Sequence, residues 1–118
     1  MTSTSTLDDY QTRTDDTATY EDAGKQTAVA INYAVLGLVG ESGEVADKWK
    51  KYLRGDYGVD MPDDLRHALK AELGDSLWYI ARLAKEIGFT LSDVASSNLQ
   101  KLADRKARGA IKGSGDAR

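Results

Sequence analysis

Apolar residues along this chain recur every three or four positions over long stretches, and no stretch alternates as a half-buried strand would. From about Gln26 to Arg54, advancing about 100° per residue places Leu38, Val45, Trp49 and Tyr52 in one narrow stripe, which is expected to face the core. A second long helix, announced by Asp60, Pro62, Asp63 and Asp64, is predicted to run to about Ile87, where Gly88 stops it. Its stripe of Leu69, Leu73, Leu77, Ile80, Ala84 and Ile87 has nearly heptad spacing and is also assigned to the core. A further helix starts with the cap-like Thr90-Leu91-Ser92-Asp93, flanked by Phe89 and Val94 at staple spacing. It continues to about Arg108, with Leu91, Ala95, Leu99 and Leu102 inward and Gly109 at its end. A shorter opening helix, about Leu7 to Ala18, rests on the Thr6 cap and on Asp8 and Asp9 in its first turn. Its threonines are weak helix formers, so tertiary packing has to hold it. The pattern predicts an all-α four-helix bundle, one domain over 1–118, with a Ser/Thr arm at 1–6, a loop from Gly55 to Met61 and a tail at 109–118. Trp78 falls well off its helix's stripe, which predicts a second buried surface at an oligomer interface.

Composition narrows the picture. A domain of 118 residues buries about two-thirds of its unfolded surface, which makes support from a partner subunit reasonable. The formal charge of −3 has the wrong sign and size for a nucleic-acid backbone binder. Having no cysteine excludes disulfides, zinc-thiolate sites and thiol catalysis, and suits a cytoplasmic protein. No apolar run approaches the roughly 20 residues of a membrane span, and Met-Thr-Ser-Thr-Ser-Thr has neither the basic start nor the apolar stretch of a signal peptide.

Candidate chemistry lies in two acidic pairs. Glu41 and Glu44 stand three residues apart on one helix, and Glu72 and Asp75 repeat that spacing on another. Such spacing projects both side chains from one helix face. A single pair of this kind is ordinarily solvated surface, and Glu44 with Lys48 looks like a common i,i+4 ion pair. Two pairs, each abutting its apolar stripe, bring like charges together near a core, where they repel unless a cation compensates them. Oxygen ligands, with His67 the single histidine, favour Mg²⁺ or Mn²⁺ over Zn²⁺. Mg²⁺ completes its shell with water and phosphate oxygens. Lys48, Lys51 and the line Asn98, Lys101, Arg105 and Arg108 lie on the same sides as the acids. Phosphoanhydride chemistry is therefore expected, with no P-loop present to handle phosphate. Gly37, Gly40 and Gly43 sit in the same helix at a cost of order 1 kcal/mol each. Close approach of metal and phosphate, or tight helix packing, would account for them.

The run from Leu36-Gly37-Leu38-Val39-Gly40-Glu41-Ser42-Gly43-Glu44 through Lys48 resembles the MazG-type all-α nucleotide pyrophosphohydrolases. So do Glu72-Leu73-Gly74-Asp75-Ser76-Leu77-Trp78-Tyr79, Asn98-Leu99-Gln100-Lys101-Leu102, Arg105, Arg108-Gly109 and Tyr10-Gln11. The resemblance implies Mg²⁺-dependent hydrolysis of a nucleoside or deoxynucleoside triphosphate to the monophosphate and pyrophosphate. It implies Glu41, Glu44, Glu72 and Asp75 as metal ligands, with Glu41 or Glu44 also orienting or deprotonating the attacking water. It further suggests Lys48, Lys51, Asn98, Lys101 and Arg105 for the triphosphate, Tyr79 for sugar or base, Gln11 and the loop from Tyr20 for pocket shape, and a homodimer or homotetramer. Many relatives carry Glu-Glu-x-x-Glu, where Gly40 here takes the first position; this leaves a third ligand on that helix open. Two alternatives stand beside this: a non-catalytic helical interaction module, and a pyrophosphohydrolase of modified or phosphoribosyl nucleotides.

Overall fold

A computed structural model describes residues 6–56 and 63–109. It contains α1 (Leu7–Thr14), a 3-10 turn (Asp15–Thr17), α2 (Ala28–Leu53), α3 (Asp63–Glu86) and α4 (Leu91–Ala107), with no strand among the described residues. Three helices start on threonine caps: the hydroxyls of Thr6, Thr27 and Thr90 accept the backbone N–H groups of Asp9, Ala30 and Asp93. Gly88 and Gly109 end α3 and α4 at φ 91° and 72°, where a glycine is unstrained. The opening helix is shorter than its pattern suggests. It gives way to the 3-10 turn at Asp15, whose carboxylate is drawn into an ion pair with Arg82 of α3. The arm at 1–5, most of the loop before α3 and the tail beyond Gly109 lie outside the described residues.

α2 and α3 form the principal packing pair; α1 lies against α3 and reaches α4, while α4 touches α1 and α3 but not α2. The buried apolar residues are mostly small: Ala30, Ala34, Leu65, Ala81, Ala84 and Leu91. This corrects the core assignment made from periodicity. Leu73, Leu77 and Ile80 are exposed on α3 and Ile87 just after it, as are Leu36, Val39 and Leu53 on α2 and Leu99 on α4. The stripe is real, but α3 turns a different face to its own chain. Helices approach closely through small residues, and the alanines and Gly37 define that contact, leaving the leucines outward. Leu38, Val45 and Tyr52 are half-buried, and Trp49, partly exposed, stacks on Tyr52 at 4.8 Å.

Trp78 finds partners within its own chain. Its indole N–H donates to Thr17 Oγ1 at 2.8 Å, and its ring meets Tyr20 and Tyr79 edge-on. Gln11, expected to shape a substrate pocket, is buried and fully used as a joint. Its amide N–H₂ donates to the carbonyls of Ala81 and Phe89, and its oxygen accepts the Leu91 N–H. Glu86 closes the α1–α2 connection in the same way. Only 1% exposed, it accepts hydrogen bonds from the Tyr20 hydroxyl and the backbone N–H groups of Gly24 and Gln26. That connection has two non-glycine residues, Asp22 and Gln26, at φ 60°, a conformation that costs energy unless its surroundings hold it.

At Gly37 an added Cβ would lie 2.1 Å from Tyr79 Cε1, whereas at Gly43 nothing lies within 4 Å. Gly37→Ala should therefore destabilise the fold by about 1–3 kcal/mol despite its better helix propensity. Gly43→Ala should be neutral or stabilise by up to about 1 kcal/mol. Urea denaturation of both variants checks this; equal effects would mean that Gly37 is not a packing residue.

Candidate metal centre

Helical spacing builds the site. On α2, Tyr33, Gly37 and Glu41 follow one another at four-residue steps along one face; on α3, Glu72, Asp75 and Tyr79 share a face in the same way. Gly37 leaves room for the Tyr79 ring against the α2 backbone, which explains this glycine by close helix packing. The Tyr79 hydroxyl reaches that of Tyr33 at 3.5 Å, Tyr33 stacks on Tyr20 at 4.5 Å, and Trp78 completes an aromatic wall. Beside that wall opens a cleft of about 320 Å³ lined by Thr17, Glu41, Asp75, Trp78 and Tyr79.

Three of the four carboxylates converge. Glu41, Glu72 and Asp75 each place an oxygen within 4.8 Å of the others. Burial, then a hydrogen bond to Glu72 and the charges of Asp75, Glu72 and Glu44, push the Glu41 carboxyl above its ordinary range. Glu72 is held below its range, chiefly by Lys48, whose Nζ lies 2.9 Å from Glu72 Oε1. The Lys48 ammonium thus moderates a cluster of like charges. Tyr79 is pushed up to about 12 by its hydrogen bond to Tyr33, then by burial and the nearby acids, so its phenol stays neutral. Tyr10 of α1 is also raised, by burial and by the charge of Asp75. Hard, anionic oxygens from two helices, under mutual repulsion, fit a divalent cation such as Mg²⁺.

The remaining expected residues are placed less tightly. Glu44 is 55% exposed, stands outside the three-carboxylate cluster and pairs with Lys48 at 3.9 Å. Lys51 is paired with Asp47 at 3.1 Å. Asn98 and Lys101 line a different cleft, of about 520 Å³, with Phe89, Asp93, Val94 and Ser97. Arg105 is buried in its own chain. With α4 out of contact with α2, a single chain does not gather the basic line of α4 around the carboxylates. Thr17, Tyr33 and Trp78 border the site without having been singled out for it. Tyr33, two helical steps before Glu41 on one face, was the available signal.

A family model described as the MazG nucleotide pyrophosphohydrolase domain matches residues 31–109, a span containing both acidic pairs and all of α4. The chain is also similar to the Gene 37 protein of Mycobacterium phage L5, at 48% identity over 113 residues, covering 95% of this chain and 98% of that one. No solved structure matches.

Because folding raises the Glu41 pKa, the folded state binds that proton more tightly than the unfolded chain, and the associated stability is lost as pH rises through the folded value. Glu41→Gln should therefore be more stable than the parent at neutral pH in EDTA, by on the order of 1 kcal/mol. The gap should close below the ordinary carboxyl value of 4.5. Urea denaturation at pH 4 and pH 7 reads the difference; a variant less stable at neutral pH would contradict the repulsion.

Proposed function

The chain belongs to the MazG nucleotide pyrophosphohydrolase family, and on that premise we propose that it hydrolyses a nucleoside or deoxynucleoside triphosphate to the monophosphate and pyrophosphate with Mg²⁺ or Mn²⁺. The observation that carries this is the convergence of Glu41, Glu72 and Asp75 beside an aromatic-walled cleft. Those three side chains would hold the ion, and Glu44 would join them from the next turn of α2. A bound divalent ion would neutralise phosphoryl oxygens and lower the pKa of an adjacent water.

The chain's own groups account for the rest. Water oxygen adds to the α-phosphorus as the bond to the bridging oxygen breaks, and pyrophosphate leaves. Glu41 or Glu44 orients that water and takes its proton. Tyr79, a neutral phenol at the edge of the cleft, donates to sugar or base. Lys48 and Lys51 face the triphosphate once released from their acidic partners. Asn98 and Lys101 reach that triphosphate from a second copy of the chain; Arg105, buried in its own chain, is the weakest member of the set.

A second copy is called for by the surface as well. Leu36, Val39, Leu53, Leu73 and Leu99 are each at least 60% exposed. The Cα radius of gyration is 17.1 Å, against about 13 to 14 Å for a compact domain of this length. A homodimer or homotetramer covers these faces. For the interaction-module alternative, Trp78 offers less support than its off-stripe position suggested, because its indole N–H is bonded within the chain.

Incubation with Mg²⁺ and a nucleotide panel, widened to modified and phosphoribosyl nucleotides, should release pyrophosphate rather than orthophosphate. Glu72→Gln and Asp75→Asn should each lower turnover by more than roughly 100-fold, beyond the effect of disturbing a metal's outer shell, with helicity unchanged. No pyrophosphate from any substrate, with folded protein, would overturn the assignment. Sedimentation equilibrium should give at least twice the 12.8 kDa chain mass, and Leu73→Asp should shift the population toward monomer. A monomeric parent protein would refute the assembly.

A further inference from the structure

Lys48 occupies an unusual position for a lysine expected to bind phosphate. Its ammonium lies 2.9 Å from Glu72 on α3 and 3.9 Å from Glu44 on α2, so one cation spans both helices of the acidic site. It is not free at the helix surface: its side chain is 25% exposed, and that of Glu72 only 15%. The geometry also differs from the neighbouring Lys51, whose partner Asp47 lies on its own helix and outside the carboxylate cluster.

We propose that Lys48 is the resident counter-ion of the carboxylate cluster, holding Glu72 and Glu44 in place in the metal-free protein and giving way when a divalent cation binds. The inference rests on the metal reading above and deepens it. An ammonium and a divalent cation cannot share one carboxylate oxygen without strong repulsion, so occupancy by one weakens the other. The flexible four-carbon stem lets Lys48 swing without moving the helix. Metal loading therefore delivers a positive charge to the rim of the cleft at the moment a polyphosphate needs it. It acts as a positioning residue: before loading it keeps α2 and α3 carboxylates in register, and afterwards it faces the substrate.

The test uses Mn²⁺ alone, with no nucleotide, on the intact protein. Calorimetric titration should show Lys48→Met binding Mn²⁺ more tightly than the parent, by roughly fivefold, as expected for removing one competing charge from a partly exposed pair. The variant's Tm should be lower than the parent's in EDTA, with the gap narrowing at saturating Mn²⁺. Lys48→Arg should restore the parent's affinity. Loss of packing would weaken metal binding, so tightening separates the proposed role from a structural one. Unchanged or weaker Mn²⁺ binding by the folded variant overturns the proposal while leaving the metal site intact. Absence of Mn²⁺ binding by the parent protein overturns the metal reading itself. Should Lys48→Met not fold, NMR of ¹³C-methylated lysines in the parent gives the same decision. Mg²⁺ should then move the Lys48 signal and leave that of exposed Lys85 in place; an unmoved Lys48 refutes the displacement.

Discussion

The contact between α2 and α3 has to reconcile two opposed demands. Small residues, above all Gly37 beneath the Tyr79 ring, draw the helices close, while Glu41, Glu72 and Asp75 repel one another at the same seam. The charge is moderated at that seam by the ammonium of Lys48 beside Glu72, while Glu41 is pushed above its ordinary range by burial and by its acidic neighbours. Pairing in a half-exposed setting is worth little by itself. Its value here is geometric: it fixes Glu72 of α3 against α2, beside Glu41 and Asp75. A site assembled this way trades some stability for readiness, as charged clusters at functional positions commonly do.

A further constraint concerns the aromatic wall. Tyr20 comes from the connection between α1 and α2, and its place beside Tyr33 and Trp78 depends on Glu86. Burial alone would raise the Glu86 pKa; the hydrogen bonds from Tyr20, Gly24 and Gln26, with the Arg82 charge, more than offset it and keep the carboxylate ionised. Arg82, 2% exposed, in turn donates to the Tyr20 and Thr14 hydroxyls and pairs with Asp15. The buried polar network thus ties the cleft's wall to the next two turns of α3, on the face that carries Trp78 and Tyr79. Residues with no direct contact to the carboxylates decide where the aromatic groups beside them stand.

Helices and their caps were legible because both rest on local chemistry. Thr6, Thr90, Gly88 and Gly109 act within a few residues of themselves, and the structure uses each as its spacing suggests. The acidic pairs were legible for the same reason: i,i+3 spacing fixes a shared face whatever the helix packs against. What periodicity could not decide is which face of α3 turns inward. Leu73, Leu77 and Ile80 form the most hydrophobic line on that helix, yet Gly37 and the α2 alanines offer a closer fit to the face carrying Tyr79. The partners of Gln11 and Trp78 were not legible for a related reason. Their roles depend on partners 61 to 80 residues away, at Thr17, Ala81, Phe89 and Leu91, which no local pattern reports.

Those outward leucines and the displaced basic line of α4 are what support the proposed assembly. A chain that leaves its best hydrophobic stripe in water pays for it unless another surface covers it. A single chain also keeps Asn98 and Lys101 in a cleft of their own, away from the carboxylates on α2 and α3. Covering the stripe with a second copy removes the first difficulty. In the proposed assembly an α4 would approach the acidic cluster while keeping its own contacts with α1 and α3. On this view the protomer is built as half of a binding surface: its polar face is organised around charge, and its apolar face is reserved for the copy that completes it.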